Sequence, residues 1–312
     1  MVMPRTNDAV VEAFSPEGGV RFVYSDVTGV ARRLVAGHGV SPAAAPAFSR
    51  VLACTALMQV DFVDDDETLV VSADLGGRLG GFCVEYDGRG FMRGHPFETR
   101  PETLAPPHGG DPDDFFGFSA RVKATRVRRG DSSVKSQMTM ETPKDRPATP
   151  EAVFSELLSA AIPTRVCACA SAWEGVPERV RALAVQRVPG GSEAVFKRLS
   201  GLVDDGTLAE QLSSDPTLDA MRDVLGLPDL FTGPTRALAF GCTCSEEKIL
   251  ASWAMLPREE LVGMMRPLKP RFFRCHMCGR TFEFGPEKML VALEAGKEAR
   301  KRRKNGNGET EK

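Results

Sequence analysis

Residues 20–36 (VRFVYSDVTGVARRLVA) read as an apolar strand running into a helical pattern, with Ser25 and Asp26 as candidate caps at the junction. From Ser41, a further candidate cap, SPAAAPAFSRVLACTALMQV is apolar on nearly every side, which predicts a helix buried within a domain. Glu67–Ala73, Gly81–Tyr86 and Gly90–Arg93 are short runs rich in Val, Leu and Phe, separated by Gly and Asp, and predict sheet strands joined by tight turns. His95–Gly117 is loaded with Pro, Gly and Asp and predicts a loop. Ala120–Arg128 and Ser133–Glu141 alternate about an Arg129-Gly130-Asp131 turn, as a hairpin with one solvated face does. Thr149 is the expected cap of a helix ending near Ser159. Pro163–Ala170 and Pro177–Pro189 follow as strands, the second stopping at a Pro-Gly-Gly break.

Beyond that break, Ser192–Leu230 is helical but punctuated by Gly201, Gly206, Pro216 and Gly226, which predicts three short amphipathic pieces of modest intrinsic stability. The cysteine motif lies within 237–290, and 297–312 (KEARKRRKNGNGETEK) has no apolar face to bury. The expected class is therefore α+β. A large N-terminal domain over 1–189 holds a mixed β-sheet and a buried helix, a helical linker spans 190–236, a small C-terminal zinc-binding module spans 237–290, and a charged tail over 291–312 lacks fixed structure. A chain of 312 residues exceeds one ordinary domain, and 42% hydrophobic with 26% charged residues suits burial of a sizeable core.

The formal charge of −2 gives no general attraction to nucleic acid or anionic lipid. The opening MVMPRTNDAVVEAF lacks the apolar stretch of a secretory signal and no run of 18 apolar residues occurs, so the expectation is a cytoplasmic protein with no membrane partner. Eight cysteines in a reducing compartment then bind metal, react or pack. Four scattered histidines, with no nucleophile elbow, H-E-x-x-H or dinucleotide fingerprint, argue against an enzyme. The basic run Arg300–Lys304 beside a zinc module raises a rival from another class, a nucleic-acid-binding zinc ribbon with a structural zinc. The net charge and the lack of an aromatic-basic stacking platform weigh against it.

The strongest chemical signal is Cys242-Thr243-Cys244, thirty intervening residues, then Cys275-His276-Met277-Cys278-Gly279. Two local thiol pairs can clip together segments too short to build a core of their own, through one Zn²⁺ held tetrahedrally by four thiolates. Gly279 relaxes the turn after the second pair, RFFRC and RTFEF alternate as a small hairpin, and Ser245 with Glu246 and Glu247 opens a helix directly after Cys244. His276 is a conceivable substitute ligand that in such a turn points outward. Spacing alone fits both a permanently closed structural clip and a redox switch. The switch draws on charge, since four thiolates around Zn²⁺ leave about −2 on nucleophilic sulfur, with Lys248, Arg271, Arg274 and Arg280 nearby in sequence. Disulfide formation would eject the metal and unfold the module. Cys167-Ala168-Cys169 sits in a strand and, with Cys54 and Cys83, reads as core packing. Gly76–Gly81 reads as a turn, and Asp64–Glu67 as a solvated turn.

On Phe240-Gly241-Cys242-Thr243-Cys244-Ser245, Leu261 after Glu-Glu, Cys275–Cys278 and Phe284, the chain resembles the heat shock protein 33 family of redox-regulated chaperones. Weaker matches run through Asp26–Ala36, Ser41–Leu57, Phe91-Met92-Arg93-Gly94, Pro163-Thr164-Arg165 and Val185-Gln186-Arg187-Val188-Pro189, covering about residues 20–285. The resemblance implies a zinc module that locks a metastable linker while reduced. It further implies disulfides Cys242–Cys244 and Cys275–Cys278 on oxidation, zinc loss, unfolding of about 190–236, and ATP-independent capture of unfolding client proteins, often as a homodimer. It favours the switch over the clip. Ser159-Ala160-Ala161 departs from the Ser-Glu-Gln that the family usually carries before Pro-Thr, which leaves a divergent core contact there.

Overall fold

Strand β9 (Val176–Arg187) buries Val180, Ala182 and Ala184 on one face and Leu183 and Val185 on the other, so it sits in a sheet covered on both sides. That sheet is five-stranded and antiparallel, in the order β10-β1-β2-β9-β8, built from β1 (Ala9–Ser15), β2 (Val20–Asp26), β8 (Thr164–Trp173), β9 and β10 (Phe231–Ala237). A six-stranded sheet runs β11-β5-β4-β3-β6-β7, from β3 (Glu67–Asp74), β4 (Gly81–Asp87), β5 (Phe91–Pro96), β6 (Arg121–Arg128), β7 (Val134–Glu141) and β11 (Ala239–Phe240). Only the β11–β5 pairing in it is parallel, which makes the sheet mixed. The computed structural model describes residues 8–62, 64–99, 112–129, 133–214, 217–266 and 269–306, and the chain divides into two units, Met1–Gly241 and Cys242–Lys312.

In the first unit the main core joins one face of each sheet to α1 (Thr28–His38), α2 (Ala45–Ala56) and α4 (Pro150–Ser159), with the short α3 (Gln59–Phe62) following α2. Ten of the twelve residues of α2 are buried, as its apolar circumference requires. Thr149 Oγ1 accepts from Ala152 N and caps α4. The start of α1 differs from expectation: Ser25 Oγ donates to the Ala53 carbonyl, and Asp26 Oδ1 accepts from Thr28 N. The next two amides, of Gly29 and Val30, donate to Asp8 at 2.8 and 2.6 Å, a cap supplied from outside the helix. Burial pushes the Asp8 carboxyl up to about 6 against these bonds.

The second face of the five-stranded sheet is covered by α5 (Glu193–Asp204), α6 (Thr207–Ser213) and α7 (Leu218–Leu225), whose Leu199, Leu208, Leu212 and Leu225 pack on Val20, Phe22, Cys167, Leu183 and Val185. Helices of 12, 7 and 8 residues are too short to persist alone, so the sheet face supplies their stability. Arg181, nearly buried in β9, pairs with Asp26 at 2.9 Å and donates to the carbonyls of Leu212 and Ser214 at the end of α6. Asp229 fixes the far end, accepting from Ser15 Oγ and Glu17 N, and these bonds hold its carboxyl below the usual range.

Several expectations are corrected. The linker does not run to 236, because Phe231–Ala237 is strand β10 against β1, and neither β1, β10 nor β11 stands out from its short pattern. Gly206 (φ +83°) separates α5 from α6 and Gly226 (φ +59°) ends α7, but Gly201 lies inside α5 without interrupting it. Glu67 is fully buried rather than solvated: burial raises a carboxyl, but bonds from Lys135 at 2.6 Å and Arg126 at 2.6 Å, with the Asp64 amide, outweigh it and hold Glu67 down at about 2. His95 and Pro96 extend β5 into the expected loop; 100–111, the Gly130-Asp131 turn and Pro216 lie outside the described residues. Gly76–Gly81 forms the expected turn, Cys54 and Cys167 are buried, and Cys83 is half-buried.

The second unit holds α8 (Glu246–Ala254), α9 (Arg258–Met265), the hairpin β12 (Arg271–Arg274) and β13 (Thr281–Phe284), and α10 (Pro286–Gly306). The tail expected to lack structure over 291–312 is helical through Gly306, because Pro286 sets the first turn and Met289, Ala292 and Leu293 give α10 a buried stripe; 307–312 lie outside the described residues. Among the described residues no helix is long and apolar enough to cross a membrane.

Two substitutions should move the α5–α7 cover in opposite directions. A Cβ at Gly201 meets nothing within 4 Å, so Gly201→Ala should stabilise α5 by about 1 kcal/mol and slow protease cleavage within 193–225. Arg181→Met removes charge-assisted bonds to α6 and leaves Asp26 without that partner, and should weaken the cover by about 2 kcal/mol, seen as faster amide exchange in α6 with the central sheet unchanged.

Candidate metal centre

Each cysteine pair of the second unit sits at a backbone corner that its neighbours dictate. After Cys244, Ser245 adopts an extended conformation and its Oγ accepts from Lys248 N, starting α8 at once, with Glu246 and Glu247 in the first turn as expected. The second pair occupies the turn of the β12–β13 hairpin, closed by Cys275 N to Arg280 O and Gly279 N to Cys275 O, both 2.8 Å. Gly279 takes φ +73°, a left-handed conformation that a side chain disfavours.

These corners bring four sulfurs together. Cys242 and Cys275 approach to 3.9 Å, Cys244 and Cys278 to 3.5 Å, and all four lie within 4.8 Å of one another. A tetrahedron of sulfurs about 2.3 Å from a central ion has edges of about 3.8 Å, so this donor set fits one four-coordinate thiophilic ion. Cys275 and Cys278 are buried and Cys242 and Cys244 half-buried, so one pair forms the floor of the site and the other its rim. Without a cation the set is frustrated: burial and then the crowding of neighbouring sulfurs push the Cys244 thiol up, and burial pushes Cys278 up to about 11. A divalent cation reverses that sign by stabilising the thiolates.

The support is aromatic. Trp253 of α8 packs edge-on against Phe284 at 4.7 Å and Phe273 at 6.4 Å between ring centroids, with Ile249, Leu261, Phe282 and Met289 buried around them. Lys288 of α10 reaches Glu246 at 2.7 Å. Three of the four cations expected near the sulfurs, the arginines, are engaged with backbone and ring: Arg271 donates to the Met264 and Arg266 carbonyls, Arg274 to the Gly279 carbonyl, and Arg280 lies 4.8 Å over the Phe282 ring. His276 is exposed, on the outside of the turn. Among the described residues these four cysteines form the one group with ligand atoms placed for a metal, and Cys54, Cys83, Cys167 and Cys169 belong to the first unit. The residue that sequence reasoning passed over is Trp253, whose signal was an aromatic four positions after Ile249, on the same face of a short helix.

A family model described as Hsp33 protein matches residues 8–285. The chain is 27% identical over 302 residues to a 33 kDa chaperonin of Thermus thermophilus, covering 91% of this chain and 86% of that protein. To the 33 kDa chaperonin of Symbiobacterium thermophilum it is 25% identical over 307 residues, covering 91% and 96%. The fold is similar to the crystal structure of the 33 kDa chaperonin, a heat shock protein 33 homolog, from Thermotoga maritima, with a TM-score of 0.74 and 16% identity over 92% of this chain and 98% of that one.

Titration of the reduced protein with Co²⁺ should saturate at about one ion per chain with thiolate charge-transfer absorption, and Cys278→Ser should weaken binding by about 100-fold or more. Because the raised thiols must lose protons to bind, apparent affinity should fall by at least about tenfold for each unit by which pH drops below neutrality. A pH-independent affinity would contradict the four-thiolate assignment.

Proposed function

This chain belongs to the Hsp33 protein family, and on that membership together with the four convergent thiols we propose that it is a redox-regulated, ATP-independent holdase chaperone whose resident ion is zinc. Relatives bearing the name 33 kDa chaperonin support the chaperone class, with unfolding proteins as the partners. The single observation that carries the regulatory part is the closure of Cys242, Cys244, Cys275 and Cys278 within 4.8 Å, a distance at which they bind one ion or, oxidised, one another.

The reduced state is the resting one. Zinc bound there would supply charge neutralisation and hold α8 to the hairpin, contributing on the order of 10 to 16 kcal/mol to folding a module of this kind. Oxidation removes two electrons per disulfide, so two hydroperoxide equivalents convert the four sulfurs to Cys242–Cys244 and Cys275–Cys278 and leave them unable to act as thiolates. These pairings are the ones that the family resemblance implies. The module then unfolds.

Residues 231–240, strands β10 and β11, lie between α5–α7 and the module in the chain, so on this proposal loss of the module must also loosen those strands before the helices are released. The helices α5–α7 are short, capped by Ser192 and Thr217, and stable only while docked. Their release uncovers Phe22, Leu183 and Val185 as well as their own leucines, giving an apolar surface for unfolding chains. The boundaries that follow are a core through 189, a linker through about 230, a return to the core sheets in β10 and β11, and a redox module that begins at Cys242 rather than at 237. The cytoplasm is the compartment proposed, and a homodimer the form proposed after oxidation. The function requires no turnover chemistry and no nucleic acid.

The test follows zinc release with a chromogenic chelator as the reduced protein meets hydrogen peroxide or hypochlorous acid, with suppression of a thermally aggregating client measured in the same samples. About one zinc per chain should leave in step with new holdase activity. Zinc that stays bound, or leaves with no gain in client protection, would make the site a structural clip.

A further inference from the structure

Cys167 and Cys169 take no part in the metal centre, and β8 turns both sulfurs toward the sheet face that α5–α7 cover, while the alternating Val166 and Ala168 face the main core. Cys167 is the deeper: its Sγ lies 3.9 Å from the Leu183 carbonyl, and burial pushes its thiol up to about 12. A cleft of about 510 Å³ reaches it at the linker's edge, lined there by Arg165, Asp204, Gly206 and Ala209. Cys169 is half-buried against the same leucine cluster and faces Arg181 across the β8–β9 ladder. Burial raises its thiol, and Arg181 and Arg179 act in the opposite direction. The guanidinium that holds the end of α6 is therefore also the cross-strand neighbour of this sulfur. If α6 leaves, Cys169 loses apolar cover and Arg181 loses two carbonyl acceptors, which leaves cations beside an uncovered thiol, the setting of a reactive cysteine.

We propose that Cys169 is a second, linker-gated oxidation site that takes a hydroperoxide once α5–α7 undock, with Cys167 as its slower neighbour. The Cys169 thiolate attacks the peroxide, an S–O bond forms as the O–O bond breaks, and the leaving oxygen takes up the thiol's proton as water or an alcohol. Sulfur is oxidised by two electrons to the sulfenic acid and the peroxide is reduced. A sulfenic acid on the face that Leu208 and Leu212 must cover disfavours redocking, so the open state would persist until a thiol reductant removes it.

The inference rests on the linker release proposed above, and variants that open the linker without oxidation separate the two. In full-length, reduced, zinc-loaded protein, Leu208→Asp and the milder Leu212→Ala are compared with wild type by native N-ethylmaleimide labelling and peptide mass spectrometry, with protease cleavage within 193–225 reporting linker opening. Cys169 labelling should rise in step with cleavage across the variants, by about tenfold or more in Leu208→Asp, with Cys167 next and Cys54 of the main core unlabelled. Hydrogen peroxide followed by dimedone should then mark Cys169 in the opened variants without delay, and in wild type only after its zinc has left. Cys169 labelling that does not follow cleavage, or opened variants with no dimedone adduct, would overturn the proposal. If Cys54 labels in Leu208→Asp, the core has opened and Leu212→Ala decides. Variants that behave as expected while the wild-type linker stays closed after zinc ejection would sink the switch and leave this site standing.

Discussion

A sheet that is apolar on both faces must be covered twice, and the five-stranded sheet of this chain is covered by partners of very different strength. On one face α1, α2 and α4 interlock with the second sheet in a core that includes Phe48, Phe82 and Phe154, all fully buried. On the other face, three helices of about two to three turns contribute two leucines each. Close packing makes the first cover cooperative with the whole unit. The second can leave without dismantling the first, because the ladders linking β2, β9 and β8 are backbone bonds within the sheet and do not pass through α5–α7. The thin cover is thus a property of the fold.

The second unit meets a different constraint. Its core is small, centred on Trp253 and Phe284, and below about 40 to 70 residues a hydrophobic cluster of that kind rarely sustains a fold without a staple. The four sulfurs stand where a staple is needed, between the start of α8 and the hairpin turn. With no ion, burial raises the proton affinity of Cys244 and Cys278, and a bound ion would make the four sulfurs the strongest interaction in the unit. Any chemistry that removes thiolate character acts on the whole unit at once.

Much of this was legible in the chain. The buried α2, the capped α4, the strands of the mixed sheet and the three-part helical stretch all announce themselves through period, caps and breakers, and the cysteine corners through Ser245 and Gly279. Strands β10 and β11 were hidden because their pairing is non-local: Ala237 lies opposite Ala9 and Ala239 opposite Phe91, and no local pattern encodes partners so far away in the chain. Glu67 and Asp8 were hidden for the same reason, since a carboxylate reads as solvated until its distant partners, Arg126 and Lys135 or the α1 amides, are placed around it. Arg181 left a trace, a charge inside the apolar run Val180–Val185, and such a charge is tolerated only when it is paired.

Arg181 also shows why the linker's grip is graded. Apolar burial holds α5–α7 without direction, so a leucine cluster alone would let the helices slide or fray. The guanidinium adds direction by binding the Leu212 and Ser214 carbonyls, the unsatisfied acceptors at the end of α6, while Asp229 does the same for the β1–β2 turn. Each such bond contributes about 1 to 3 kcal/mol, an order of magnitude below what a bound zinc would contribute to the second unit. On the proposed function that ratio sets the order of events. Oxidation acts first on the metal centre, whose loss would remove on the order of 10 to 16 kcal/mol of stabilisation from the second unit at once, and the linker then follows at a threshold that a few polar contacts adjust.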